Sequence, residues 1–245
     1  MRQPLLIVLW SFLQLSVDAA SVHRVAGVSV RRIHTGGSLP WIYEADWANT
    51  AADASRKRHD PLSSCYWPAA APLASLLSSH VHRGACYLEL GCGTGLLSLT
   101  SAMYGAGRVI ATDVSTASLE LTDAAAAAQG LESVETRLFD VTDRNVALPR
   151  ADFMLLSDLF VTDELAKAYA ARVAEACASA DSFRQIFVVD PGRSTRQTFL
   201  DALGAYPHCA HGGFAAADEC TARALRGERL ILLDTRDGEP VDYAI

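Results

Sequence analysis

Short apolar runs alternate along the chain with stretches whose apolar positions recur every three or four residues, the two periods expected of strands and helices. Strands are predicted over 86–90, 108–113, 134–140 and 151–158; a fifth begins at Gln185, and 228–234 reads as a closing strand. Leu96, Leu97, Leu99, Ala102 and Met103 form the stripe of one helix, and Leu73, Leu76 and Leu77 that of another behind Pro68, a residue favoured in a first helical turn. Ser115 opens an alanine-rich helix that closes at Gly130, since serine caps helices, alanine propagates them and glycine ends them. The alternation predicts one doubly wound α/β domain, and 245 residues with 50% hydrophobic content suffice for a substantial core.

The segment Glu89-Leu90-Gly91-Cys92-Gly93-Thr94-Gly95 joins the first of these strands to its helix. Three glycines on alternate positions permit a turn of bare backbone that a cofactor can approach closely. In a dinucleotide fingerprint the third glycine stands three residues after the second, and Leu96 occupies that place here. The next strand ends in Asp113, roughly 20 residues after the turn, where an acid at a strand's carboxyl end can accept both hydroxyls of a ribose. The alternative for Asp113 is a charge at the start of the helix that follows.

The order E-x-G-x-G-x-G followed by that acid resembles motif I of the class I (seven-strand) S-adenosylmethionine-dependent methyltransferases. The resemblance implies a seven-stranded, mostly parallel sheet with helices on both faces and S-adenosyl-L-methionine as the cofactor. It also implies that Glu89, Gly91, Gly93 and Gly95 accommodate the methionine portion, whose ammonium favours a nearby negative charge. Asp113 would then bind the ribose, and Asp140, ending the third strand, would meet the adenine amino group; a solvated surface position is the other reading of Asp140.

Further segments narrow the resemblance. Tyr66-Trp67-Pro68, the glycine turn, Ser157-Asp158-Leu159-Phe160 and Asp190-Pro191-Gly192-Arg193, in this order, are similar to the electron transfer flavoprotein β-subunit lysine methyltransferase branch, over about residues 66–203. That branch implies a protein substrate with a target lysine; a small-metabolite acceptor and a noncatalytic binding module that retains the cofactor fold are the alternatives. Trp67 would line the cofactor pocket, Ser157 would stand at the strand end that faces the methyl, Asp158 would orient the acceptor amine, and Phe160 would wall its slot. The plainer readings are a core anchor for Trp67, a helix cap beside Thr162 for Asp158, and a solvated or ion-paired surface group for Arg193. One departure stands out: the branch usually has an aromatic three residues after the acid, and Val161 is there instead. Transfer from a sulfonium is an in-line displacement in which alignment supplies most of the catalysis, and a lysine with a pKa of about 10.4 must first lose its proton.

The N-terminus adds a targeting expectation. Leu5 to Val17 is an apolar run behind Arg2, Val17-Asp18-Ala19 is a small-residue cleavage candidate, and 19–43 has no acid but holds Arg24, Arg31 and Arg32. Residues 1–40 are therefore read as a leader and 41–245 as the methyltransferase domain, with a mitochondrial destination favoured and a plastid, behind a secretory-type leader, as the alternative. No stable membrane insertion is expected once the leader is removed, its apolar run being short for a span. The net charge of −7 disfavours nucleic acid as a partner. Six scattered cysteines lack a C-x-x-C pair, and His208 and His211 lack a third ligand, so neither a disulfide framework nor a metal is expected.

Overall fold

The computed structural model describes residues 23–25, 28–46, 62–179, 181–209, 213–225 and 230–235. Two sheets are present. Strands β1 (His23–Val25), β2 (Val28–His34) and β3 (Trp41–Ala45) form a small antiparallel sheet. The main sheet is built from β4 (Cys86–Leu90), β5 (Arg108–Asp113), β6 (Val134–Leu138), β7 (Phe153–Ser157), β8 (Gln185–Asp190), β9 (Phe214–Ala215) and β10 (Leu230–Asp234), in the order β6-β5-β4-β7-β8-β10-β9. Helices α1 (Ala70–His80), α2 (Leu96–Met103), α3 (Thr116–Ala128), α4 (Asp163–Ala178), α5 (Arg196–Gly204) and α6 (Ala217–Leu225) complete the fold. No helix among the described residues is long and apolar enough to cross a membrane.

Every ladder recorded in the seven-stranded sheet is parallel. Parallel neighbours need a crossover, and α6 supplies one between β9 and β10 where a hairpin would have made the last pair antiparallel. The strands' period of two divides the core cleanly. Phe153, Leu155, Phe187, Val189, Ile231 and Leu233 face one layer, which receives Leu73 and Leu77 of α1 and Leu97 of α2. Met154, Leu156, Ile186, Val188 and Leu232 face the other, which receives Tyr169 and Val173 of α4 and Phe199 of α5. The sheet thus has helices on both faces, as a doubly wound fold requires.

The order in which strands are added reverses beside β4: β5 and β6 lie to one side of it, β7 and β8 to the other. Such a switch point opens a crevice at the carboxyl ends of the central strands. The glycine turn leaves β4 there, and Asp113 and Asp158 stand at or just past the ends of β5 and β7.

The small sheet corrects the boundary at residue 40. Val30 and Ile33 of β2 are buried in the same core layer as Ile42 and Tyr43 of β3, and β2 and β3 are paired from Val30↔Ala45 to His34↔Trp41. A leader running to residue 40 would take β1 and β2 away from β3. The arginines of this segment are explained by structure: Arg31 Nε donates to Glu44 at 2.7 Å, and the Arg32 guanidinium lies 4.3 Å from the centre of the Trp41 ring. The predicted cleavage point at 17–19 lies outside the described residues.

A chain beginning at residue 41 is expected to melt about 10 °C below one beginning at residue 22, because two buried aliphatic side chains and a strand pairing are lost, roughly 3 to 5 kcal/mol. Thermal unfolding followed by circular dichroism checks this; equal melting temperatures would show that residues 23–40 are dispensable.

Candidate active site

Glu89 is the one acid in the otherwise apolar run of β4, and it is 3% exposed. Its Oε2 accepts hydrogen bonds from Ser98 N at 2.9 Å and Ser98 Oγ at 2.5 Å. Gly95, the N-cap of α2, has no side chain to bond the free N–H groups of the first turn, so the strand acid satisfies one of them. Both bonds fall on Oε2, and Oε1 has no protein donor among the described residues. Burial pushes the Glu89 carboxyl up to about 8 against the lowering effect of the Ser98 bonds, with the Asp113 charge adding to the rise.

The turn that follows needs glycine for two reasons. Gly91, Gly93 and Gly95 have φ of 64°, 51° and 81°, in the left-handed region. At Gly91 a Cβ would also stand 2.5 Å from Leu159 Cδ2, and at Gly95 2.6 Å from the Thr122 side chain. Gly91 and Gly93 line the cavity described below, whereas Gly95 packs on α3 outside it. Gly95 is thereby a residue of the helix junction and not of the cavity wall.

Asp113 ties the turn to the end of β5. Its Oδ2 accepts from Gly93 N at 3.0 Å and its Oδ1 from Ser115 N at 2.8 Å. Ser115 itself caps α3 through Ser118 N, and Asp113 lines the cavity. Asp140 lies two residues beyond β6 and is exposed; Thr142 N and Oγ1 donate to its Oδ1 at 2.8 and 2.7 Å, and these bonds hold its carboxyl below the usual value. The Trp67 ring also reaches the cavity, with Nε1 donating to Leu62 O at 2.7 Å. Its neighbour Tyr66 donates N–H to Glu44 of β3 at 2.8 Å, so the small sheet holds this segment against the site.

These groups enclose a cavity of ≈ 310 Å³, at the lower end of the range for small-ligand sites. Trp67, Glu89, Gly91, Gly93, Asp113, Asp140, Ser157 and Asp158 all line it. The charged side chains among its lining are four acids and no base. On two of these residues a polar atom, Ser157 Oγ and Asp158 Oδ2, is buried without a hydrogen-bond partner among the described residues.

Asp158 does not cap α4; Thr162 does, its Oγ1 accepting from Leu165 N at 3.2 Å. Asp158 has φ of 59°, a left-handed conformation that aspartate adopts more readily than most residues. Its Oδ1 accepts from Arg193 Nε at 2.5 Å, and both side chains are almost fully enclosed, at 1% and 8% exposure. Burial raises the Asp158 carboxyl above its ordinary value, although Arg193 pulls it down. The surface position expected for Arg193 is therefore corrected: it is a buried partner of a cavity acid, and its guanidinium carbon lies 5.5 Å from the centre of the Trp67 ring. Basic side chains on exit turns are usually solvated, and nothing in the local sequence distinguishes this one.

Phe160 is likewise corrected. It is 1% exposed and its ring stacks on Phe199 of α5, with centroids 4.3 Å apart. A phenyl ring gains more from that aromatic contact than from a wall of carboxylates, so it joins the core and leaves the cavity to Leu159 and Val161. A second residue missed in the sequence is Arg172 of α4, fully buried, which donates to the carbonyls of Val141 at 3.0 Å and Val146 at 2.8 Å and so fixes the loop that carries Asp140. Among the described residues no group of His, Cys, Asp and Glu could hold a metal ion.

Part of the chain is similar to known proteins. Residues 88–180 match the family model described as a methyltransferase domain. No protein of curated function matches the chain. Among solved structures, coclaurine N-methyltransferase bound to N-methylheliamine and SAH is 30% identical over 37% of this chain and 27% of that one, with a TM-score of 0.32. TrmN from Thermus thermophilus is 23% identical over 54% of this chain and 41% of that one, with a TM-score of 0.42. Protein arginine methyltransferase 10 of Arabidopsis thaliana is 22% identical over 42% of this chain and 30% of that one, with a TM-score of 0.34. The chain spans less than half the length of these three proteins. The residues present fit a sulfonium cofactor: a buried acid beside the glycine turn can meet an ammonium, and an acid at the end of β5 can meet a ribose diol. Residues 88–180 are thus similar to a methyltransferase domain, and the lining of the cavity fits S-adenosylmethionine as the cofactor.

Proposed function

We propose that the chain is an N-methyltransferase whose acceptor is a lysine side chain of a protein, and that it acts in an organelle, the mitochondrion. The observation that carries this reading is the pair of partnerless buried atoms, Ser157 Oγ and Asp158 Oδ2, on adjacent residues of a cavity whose charged lining is entirely acidic. Asp158 Oδ2 calls for a donor, which an amine N–H supplies, and a serine hydroxyl can take part on either side of a hydrogen bond. The acids attract a cationic acceptor and repel phosphate.

The cofactor supplies an electrophilic methyl group on a sulfonium. The chain's own work is on the acceptor. Leu159, Val161 and Leu165 make part of the wall apolar, which disfavours the ammonium form against the pull of the acids, so that the lysine releases its proton to solvent before transfer. Asp158 receives the remaining N–H and turns the lone pair toward the reacting carbon. The S-D-L-F and D-P-G-R segments, which resemble the electron transfer flavoprotein β-subunit lysine methyltransferase branch, support this reading. The apolar run behind Arg2 supports the organellar destination, with any removed leader ending ahead of β1.

A small-molecule amine is the second reading, favoured by the withdrawal of the Phe160 ring from the cavity, which leaves aliphatic walls where the branch usually has an aromatic. Incubating the purified protein with tritiated-methyl S-adenosylmethionine and a mitochondrial extract separates the two. Label in protein bands, recovered as methyl-lysine after hydrolysis, is expected; label confined to small molecules would transfer the assignment to the second reading, and no label at all would contradict both.

A further inference from the structure

The D-P-G-R turn after β8 is built to hold an arginine still. Asp190, fully buried, accepts through Oδ2 from Gly192 N at 2.8 Å, Arg193 N at 3.1 Å and Arg196 Nε at 2.5 Å. From this base the Arg193 side chain runs behind the cavity wall, reaching Asp158 at one point and the Trp67 ring at another. Both of those residues line the cavity and Arg193 does not.

We propose that Arg193 is a positioning residue for methyl transfer: its guanidinium fixes Oδ1 of Asp158 and braces the Trp67 ring, so that Oδ2 alone is presented to the acceptor's N–H. The inference rests on the assignment of Asp158 to the acceptor. A buried ion pair is a poor way to gain stability, since desolvating two charges offsets their attraction, and apolar residues of like volume would do as well. Orientation is what the arrangement provides. A guanidinium is planar, stacks on an aromatic face and donates from fixed directions, so one side chain can lock a carboxylate and a ring together. Asp158, in its left-handed conformation, is also held by its own backbone, with its N–H donating to Val189 O at 2.9 Å. The backbone is therefore fixed at Asp158 and the carboxylate at Oδ1, and the other oxygen remains without a partner among the described residues.

The charges that act on Asp158 are Arg193, which favours its ionised form, and Asp190, which opposes it together with burial. Removing Arg193 thus raises the Asp158 carboxyl further. The test is a carbon-13 NMR titration of the aspartate carboxyls in the native chain and in R193M, with D158N identifying the Asp158 resonance. The Asp158 midpoint is expected to move up by about one pH unit or more in R193M, the effect of losing a close opposite charge. In parallel, tritium transfer into extract protein at saturating cofactor should fall about 100-fold, as for one half of a buried charge pair, while affinity for S-adenosylhomocysteine changes less than about threefold.

An unmoved midpoint with an unchanged rate overturns the proposal, as does an equal loss of cofactor affinity and rate. Should R193M fail to fold, R193K carries the test. It keeps the charge, so the midpoint is expected near the native value with the rate only partly restored; a fully native rate in R193K contradicts the role of the guanidinium. If D158N transfers methyl at the native rate while R193M still shifts the carboxyl, the acceptor assignment fails and the contact is structural.

Discussion

Replacing Asp158 by Asn is expected to lower methyl transfer about a thousandfold and to leave affinity for S-adenosylhomocysteine within about threefold of the native chain. The substitution keeps the shape and an oxygen for Arg193 Nε, so the wall stays in place. It removes the negative charge that draws the acceptor, and an amide must point either oxygen or nitrogen at the acceptor. With Oδ1 held by Arg193, the group at the Oδ2 position becomes an NH2 that repels an N–H donor. The remaining cost is a buried guanidinium without its counter-charge, which lowers stability by roughly 3 kcal/mol. Titration calorimetry with S-adenosylhomocysteine, run beside the tritium assay and a melting curve, separates the two effects. Equal losses of binding and transfer would assign Asp158 to the cofactor instead.

The second large effect concerns protons at Glu89. Burial lifts this carboxyl to about 8, whereas the same group in the unfolded chain titrates near 4.5. Between those values the folded chain without cofactor holds a proton that the unfolded chain has released, so this residue's contribution to stability is greatest below pH 4.5 and declines as pH rises through the window to about 8. A cofactor bearing an ammonium selects the ionised carboxylate. Binding below pH 8 must then expel a proton, and affinity should strengthen by up to roughly tenfold per pH unit between pH 6 and 8 before levelling off. E89Q keeps an acceptor for Ser98 but has no charge to gain, so its affinity at pH 8 should be about 100-fold weaker and flat with pH, the loss expected for one partner of a buried charge pair. Calorimetry in two buffers of different ionisation enthalpy reads the proton directly. Native affinity that does not vary over this range, with no proton released, would place the ammonium elsewhere.

How much of this was legible in the sequence follows from which forces are local. Strands β4, β5, β7 and β8 are largely apolar runs because both their faces are covered, and such runs show in any window, whereas β6 at the sheet edge is mixed and half-exposed. The glycine turn is legible because positive φ at alternate positions has few other solutions. Asp113 and Asp158 are legible as acids at strand ends, since strands end where the crevice opens. The small β1–β3 sheet was hidden behind composition: a segment with arginines and no acid until Glu44 resembles a targeting peptide, and only pairing with β3 and packing of Val30 and Ile33 reveal it as fold. Strand β9 is two residues long and carries no periodicity of its own. Phe160 and Arg193 were misplaced for one reason. Side-chain direction after a strand depends on the backbone of the turn, and the left-handed Asp158 and the Asp190-anchored loop become visible only when distant residues meet. Arg172 belongs with them, for nothing near it in sequence shows that it will gather carbonyls from a loop some thirty positions earlier.

The central claim is that a sulfonium donor sits in the cavity between the glycine turn, Asp113 and Asp158. Titrating the purified chain with S-adenosylmethionine in a calorimeter, beside a nicotinamide dinucleotide as control, tests it most directly. One donor per chain, bound with release of a proton at pH 7 and with no heat from the dinucleotide, is the expected result. Uptake of the dinucleotide with indifference to the sulfonium would contradict the account.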